Sequence, residues 1–408
     1  MKVENASRKL FQIAIYFSLL FFIFHAENLS AQEYKQVIPG VERANITRKI
    51  KDEPMVINLL RLDLTKVRLD VVHALDAAIG LETTSSIATR RGASAAINAG
   101  FFRLDKSIFA GDAAGVLQID GKLLSESNNK RMALLIDNAP IPCSVCDTPE
   151  NRTRVSFDRL STWSIVILNK RNFDVLGINR EREKDDLVLF TPEFHRTTLT
   201  DASGLEIIVR KGKIASIADG QGSREIPPDG FVLSASGKKR DEILPHLKIG
   251  RKIFAPTNNS AEEITESGEY KFKYHTRAED IVGGVPQLIR NGKIEITWEQ
   301  EKAGQSFAEM RHPRTAVAKL ADDKFLMVTV DGRQPGTSVG MNLQELAEML
   351  LKFGAVDAMN LDGGGSTTMF VGGKVINQPS DKEGERKVSD AILVFPRRPQ
   401  TQMLTKKK

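Results

Sequence analysis

Cysteine is scarce: Cys143 and Cys146 are the two in 408 residues. They stand in Pro142-Cys143-Ser144-Val145-Cys146-Asp147. A redox motif of this spacing opens a helix after a strand, whereas Pro142 and Asp147-Thr148-Pro149 mark a loop. A zinc site needs two more ligands at matched spacing, and none lies near. A small Cys143–Cys146 loop disulfide, formed in an oxidising compartment, is the best of the three readings. Histidine is thin as well. His25, His73, His195, His246, His275 and His312 are scattered, which argues against a Ser-His-Asp triad and against a three-histidine zinc centre. There is no G-x-x-x-x-G-K-[ST], no H-E-x-x-H and no G-x-S-x-G around Ser366. Strong charge of one sign is missing: a net +6 leaves no nucleic-acid footprint and supports no more than a weak preference for anionic ligands. Long apolar runs are missing too, except at the N-terminus.

There, Arg8 and Lys9 precede Leu10 to Phe24, and Leu29-Ser30-Ala31 gives a small-residue exit. That is the pattern of a secretory signal over residues 1–31, cleaved after Ala31. An uncleaved anchor is the alternative, but the apolar core is shorter than the ~20 residues a spanning helix needs. The expectation is a secreted or periplasmic protein with no stable membrane span after cleavage.

With 41% hydrophobic and 27% charged residues, the chain can bury a large core. Residues 32–54 read as a polar leader. Val56 to Val72 reads as two strands, Thr83 to Arg90 as a short helix, and Ala95 to Phe102 as a buried strand holding Asn98. A buried asparagine is costly unless its amide is bonded, so Asn98 either fixes a turn or faces a ligand. From Val155 to about His275, short apolar runs alternate with charged turns, as in an antiparallel β lobe. Asn291-Gly292 marks a hairpin, and residues 397–408 form a basic tail expected to be disordered.

The stretch from Phe325 to Val371 reads as strand, loop, helix, strand, Gly turn and strand. Asn342 and Glu345 have capping-box spacing. Leu343, Leu346, Leu350 and Phe353 recur at helical intervals, and Gly354 stops the helix. The flanking runs, Phe325 to Val330 and Val356 to Leu361, are expected to be parallel neighbours. A right-handed crossover would then set Asp331 and Asp362 side by side at one sheet edge. The expected fold is mixed α/β (α+β): a central mixed β-sheet with flanking helices, assembled from residues 56–140 and 276–396. An additional β-rich lobe at about 155–275 is attached or intercalated.

Asp331, Asp362 and Asp390 lie at predicted strand ends, and paired carboxylates are the usual machinery of glycosyl transfer. Arg311, Arg314 and Arg333 offer planar donors for phosphate or carboxylate. Gly363-Gly364-Gly365 suits either a phosphate cradle or a tight turn. Singly, each reads as a turn cap or a surface ion pair; embedded together in apolar strand runs, they point to a site.

Five segments occur in a telling order: Asn98-Ala99-Gly100-Phe101-Phe102, Arg311-His312-Pro313-Arg314-Thr315-Ala316, Asp331-Gly332-Arg333, Asn360 through Thr368, and Val388-Ser389-Asp390-Ala391. Together they resemble the phosphodiester glycosidase family, whose bacterial relatives are often labelled exopolysaccharide-biosynthesis proteins. Ala99 and Ala318 stand where glycine is common in that family. The resemblance implies one phosphodiester glycosidase domain over 55–396 that hydrolyses sugar-1-phosphodiester or related envelope polysaccharide bonds. Asp362 would be the carboxylate acting on the anomeric carbon or its water, with Asp331 as alternate. Arg314, assisted by Arg311, would clamp the departing phosphate. Gly363, Gly364 and Gly365 would admit the backbone close to the substrate, and Ser366, Thr367 and Asn98 would fix hydroxyls. Gly100, Phe102, Thr315, Arg333 and Asp390 complete the expected substrate site. The partner is then a carbohydrate or sugar phosphodiester; the expectation names no required cofactor and leaves a divalent cation, Ca²⁺ or Mg²⁺, open. Two rivals stand beside this reading: a non-catalytic envelope polysaccharide-binding protein, and a metal-dependent phosphodiesterase whose aspartates hold Ca²⁺ or Mg²⁺.

Overall fold

Glu53–Leu62 (EPMVINLLRL) is nearly continuous in apolar residues because both its faces are covered, while Val41–Ile50 alternates more openly. The two pair antiparallel along their whole length, from Val41 opposite Leu62 to Ile50 opposite Glu53. The polar segment expected to be a leader is therefore in large part a strand. In the computed structural model, residues 33–50, 52–138, 152–264, 270–274 and 278–397 are described. The apolar N-terminal run, the Cys143–Cys146 loop and the basic tail from 398 onward lie outside the described residues. Gln36–Lys408 forms one unit and Met1–Lys35 another.

Within the larger unit, a central sheet runs Val41–Ile50, Glu53–Leu62, Phe325–Val330, Arg314–Leu320, Ala355–Asn360, Gln287–Arg290, Lys293–Ile294. Every one of these neighbouring pairs is antiparallel. A second antiparallel sheet runs Lys374–Val375, Met369–Val371, Ala95–Asn98, Asp390–Pro396, Val67–His73. Side chains of both sheets, including Leu60, Leu62, Leu69, Ile97, Val317, Met327, Met359 and Ile392, share one buried cluster. Burying each such side chain stabilises the fold by about 1.5–3 kcal/mol.

The expected central mixed sheet with flanking helices is not what forms. The protein is mostly β, in several largely antiparallel sheets, and the α-helices among the described residues are short: Thr84–Arg91, Gly237–Ile243, Gln305–Glu309 and Leu343–Lys352. The reason lies in one strand. Phe325–Val330 and Ala355–Asn360 do run in the same direction, but Arg314–Leu320 lies between them, antiparallel to both. A strand–helix–strand succession reads as a βαβ unit when no third strand is known to intervene. The helix itself is as its sequence implies, with Asn342 and Glu345 exchanging both bonds of a capping box.

In the β-rich region, Gly177–Ile178, Leu187–Phe190, Gly230–Ala235, Leu205–Arg210 and Lys213–Asp219 form a five-stranded sheet. It contributes to a core of its own around Leu187, Leu205, Ile207, Val209 and Leu233. The outer parts of this region do not stay with that sheet. Arg154–Leu168 pairs with Met132–Asp137, which pairs in turn with Asp280–Gly283.

Candidate active site

The three adjacent strands explain how the motifs meet. Arg314 opens the middle strand and pairs with Val330, the residue before Asp331. Ala316 pairs with Asn360, two residues before Asp362. Asp331, Arg314 and Asp362 therefore gather at one edge of the central sheet. Two glycines permit the close approach: a Cβ on Gly332 would come within 2.8 Å of Pro313 N, and one on Gly363 within 2.7 Å of Pro313 O.

Asn98 ties the second sheet to this edge. Its Oδ1 accepts from Thr315 Oγ1 at 2.8 Å and from Thr368 N at 3.0 Å, and its Nδ2 donates to Asp362 O at 2.6 Å. Asn98 and Thr315 thus hold the Asp362 loop in place. The asparagine inside an apolar run marked a junction between elements 264 residues apart in the chain.

Three carboxylates gather here in different surroundings. Burial pushes Asp362 up to about 7; the Ser366 hydroxyl, Arg386 and a 2.9 Å bond from Gly363 N oppose the shift, and Asp390 adds to it. Burial likewise pushes Asp331 up to about 6. Against that, Asn377 Nδ2 and Gln378 N each donate to Asp331 Oδ1 at 3.2 Å, and Asn58 also favours the ionised form. Asp390 lies deeper: it accepts from Gly100 N at 2.6 Å and from Ser389 Oγ, and burial raises it against the attraction of His73. A Cβ on Gly100 would stand 3.2 Å from both Asp390 oxygens, so this position is filled by the carboxylate itself.

The arginines separate by role. Arg311 is committed to Glu345, donating from Nε at 3.1 and 3.0 Å and from Nη2 at 2.6 Å, and it also meets Glu53. Arg314 is 1% exposed. Its Nε donates to Met341 O at 2.8 Å and its Nη2 to Phe307 O at 2.7 Å and Met310 O at 3.1 Å, while its guanidinium lies 4.8 Å from the Phe307 ring centre. Burial and the nearby Arg333 push it down to about 10. Arg333 is exposed, with φ of 59°, and its Nη2 would stand 3.1 Å from a Cβ on Gly364. Among the described residues neither Arg314 nor Arg333 has an ion-pair partner. Two neighbouring cations without a carboxylate make an anion-attracting corner.

The glycine turn is less open than a phosphate cradle. Gly363 N bonds the Asp362 carboxylate, Gly364 N donates to Pro313 O at 2.9 Å, and Ser366 N and Thr367 N donate back into the turn. Gly365 lies against the Arg386–Asp381 ion pair, where a Cβ would come within 2.2 Å of both partners. Ser366 and Thr367 are buried, and the hydroxyls of Thr367 and Thr368 have no partner. Phe102 bridges to Ala113 and packs against the cluster around Val72 and Ile87, whereas its neighbour Phe101 meets Phe307 at 6.0 Å between ring centres. Among the described residues no three His, Cys, Asp or Glu side chains converge as a metal-ligand set.

Sequence reading missed Asn58, Asn377, Arg386 and His73. Asn58 had a signal, being polar within an apolar strand like Asn98. Its Oδ1 accepts from Asn45 Nδ2 at 2.8 Å, and its buried side chain favours the ionised form of Asp331. The other three had none: Asn377 and Arg386 come in on loops, and His73 as the strand partner of Asp390.

Residues 203–395 match the family described as phosphodiester glycosidase. The cattle enzyme N-acetylglucosamine-1-phosphodiester alpha-N-acetylglucosaminidase is 38% identical over 110 residues, which is 25% of this chain and 20% of that protein. The chain thus spans about a fifth of this relative's length. Two solved structures share the fold. A hypothetical protein from Synechocystis has a TM-score of 0.73 at 21% identity, covering 91% of this chain and 64% of that one. A Burkholderia pseudomallei protein described as exported has a TM-score of 0.71 at 25% identity, covering 85% and 74%. The resemblance first read from the motifs is thereby shown over residues 203–395, and Asn98, outside that segment, is bonded directly to it.

Proposed function

We propose that this chain, with its phosphodiester glycosidase match and its carboxylates beside unpaired arginines, hydrolyses the bond between a sugar's anomeric carbon and a phosphodiester. The observation that carries the reading is one sheet edge that holds Asp331, Asp362 and the start of the strand opened by Arg314, with Arg333 exposed against Gly364 and without a carboxylate partner among the described residues. Water adds its oxygen to the anomeric carbon. The electron pair of the broken carbon–oxygen bond stays on the phosphate, which leaves as a monoester. That leaving group is already a weak base, so strong general-acid help is unnecessary, and cations that meet the departing charge serve instead. Asp362, poised at about 7, takes the proton from water. Asp331, ionised at neutral pH, stabilises positive charge at the anomeric centre. Arg333 meets the phosphate, and Arg314 sets the field behind it.

The N-terminal signal pattern supports work outside the cytoplasm, on an envelope or extracellular substrate. Among the described residues no helix is long and apolar enough to cross a membrane. The test is product analysis on sugar-1-phosphodiesters, with plain glycosides as controls. Release of reducing sugar, with phosphate left on the alcohol, is expected. Release of a sugar phosphate would assign a phosphodiesterase instead, and no turnover of any substrate would favour a binding protein.

A further inference from the structure

The cationic corner has an apolar side. Phe101 follows Gly100, the residue bonded to Asp390, and its ring meets the Phe307 ring edge-on, with 70° between the planes. Phe307 lies under the Arg314 guanidinium, and the next bond of that guanidinium goes to the carbonyl of Met310, whose residue is 56% exposed. A series of contacts therefore runs from Asp390 through Gly100, Phe101 and Phe307 to Arg314, whose guanidinium also holds the Met310 carbonyl. Beyond Phe102 the chain forms a loop closed by Arg103 N to Asp112 O at 2.8 Å and Gly111 N to Arg103 O at 2.9 Å. Leu104 and Ile108 in this loop are 57% and 64% exposed. Large aliphatic groups left in water close in sequence to site residues, Leu104 after Gly100 and Met310 before Arg314, offer a contact surface.

Sugar stacking explains this surface poorly. A sugar needs an open aromatic face, yet Phe307 has Arg314 over its ring and meets Phe101 edge-on, while Met310, Leu104 and Ile108 present no aromatic face at all. The charge next to it is complementary to an anion, since Arg314 and Arg333 have no carboxylate partner among the described residues. A ligand with phosphate at one end and hydrocarbon at the other satisfies both.

We propose that the alcohol on the far side of the phosphodiester is apolar, so that the substrate class is sugar-1-phosphate esters of long-chain or lipid alcohols, with the chain lying along Phe101, Phe307 and Met310. This rests on the phosphodiester glycosidase reading. Hydrolysis then yields free sugar and the alkyl phosphate monoester, with water's oxygen on the sugar.

The experiment compares N-acetylglucosamine 1-phosphate esters of methanol, octanol and a fifteen-carbon prenol, all below their micelle concentrations. Expected is a kcat/KM at least about tenfold higher for octyl than for methyl, as burial of two or more methylenes gives. In Met310→Gln and Leu104→Gln, both at exposed positions, the octyl-to-methyl ratio should fall towards one, with thermal melts confirming the fold. Equal rates on methyl and octyl esters would overturn the proposal and leave the hydrolase reading intact, whereas failure on every ester would strike the hydrolase reading itself. A dimer that Met310→Gln dissociates, seen by sedimentation, would give this surface to a second copy and also overturn the proposal.

Discussion

A buried aspartate with a raised pKa stays protonated into the range where an exposed one has long been ionised, and this decides how Asp362 and Asp331 behave. Burial dominates both shifts, carrying them to about 7 and about 6. If both act ionised, turnover is absent at acidic pH, rises in two overlapping steps through about 6 and about 7, and then levels. A pH–rate profile on a methyl phosphodiester checks this, and a fall above about 7 would make Asp362 the general acid instead. Asp362→Asn removes the base while keeping size and most hydrogen bonding. It should lower kcat by roughly 10²-fold or more, as loss of a key electrostatic group does, and change KM much less. Wild-type turnover in both Asp362→Asn and Asp331→Asn would place the active site elsewhere.

Among the elements, the three arginines of the predicted clamp have been distributed by packing. Arg311 anchors the start of the Leu343–Lys352 helix through Glu345, the residue that also closes its capping box. Arg314 gathers the carbonyls of Phe307, Met310 and Met341, and so holds the Gln305–Glu309 helix against the strand that carries the site. Hydrogen bonds to a charged donor are worth about 1.5–3 kcal/mol each. Arg314→Lys should therefore lower both thermal stability and activity, since an ammonium cannot reach three carbonyls in one plane. Arg333 is exposed and makes no such bonds. Arg333→Ala should raise KM for phosphodiesters by about tenfold with the melting temperature unchanged. Paired melts and kinetics separate the two arginines; an unchanged KM in Arg333→Ala would remove it from the phosphate site.

At the scale of the whole molecule, the buried carboxyls make stability fall with pH. Asp331, Asp362, Asp390, Asp280 and Asp112 are all raised by burial, Asp280 and Asp112 each to about 7. The folded protein holds the protons of Asp331, Asp362, Asp280 and Asp112 up to about pH 6–7, whereas the unfolded chain releases them near 4. Across that window the folded state binds more protons, so stability declines as pH rises from about 4 to about 7. Exposed ion-paired aspartates act in the opposite sense: Asp105, lowered to about 2 mainly by Ser107 and Arg103, favours folding above pH 4 and loses that contribution as pH falls towards 2. The melting temperature should therefore be higher at pH 5 than at pH 7.5, and Asp362→Asn should narrow the gap by roughly 2 °C or more. A melting temperature that rises steadily from pH 5 to 7.5 would contradict these carboxyl environments.

The order of the motifs, the strand character of the apolar runs, the capping of the Leu343–Lys352 helix and the resemblance to the phosphodiester glycosidases were all legible in the chain. Each depends on local spacing or on short segments of fixed composition, which sequence carries directly. Sheet order did not follow from the same reading. Neighbours along the chain, Phe325–Val330 and Ala355–Asn360, are neighbours in no sheet, because Arg314–Leu320 takes the place between them. Nor could sequence say which arginine would be spent on carbonyls, which on Glu345 and which left free. Those outcomes depend on contacts between segments hundreds of residues apart, such as Asn98 with Asp362, and only the packing of two sheets against each other fixes them.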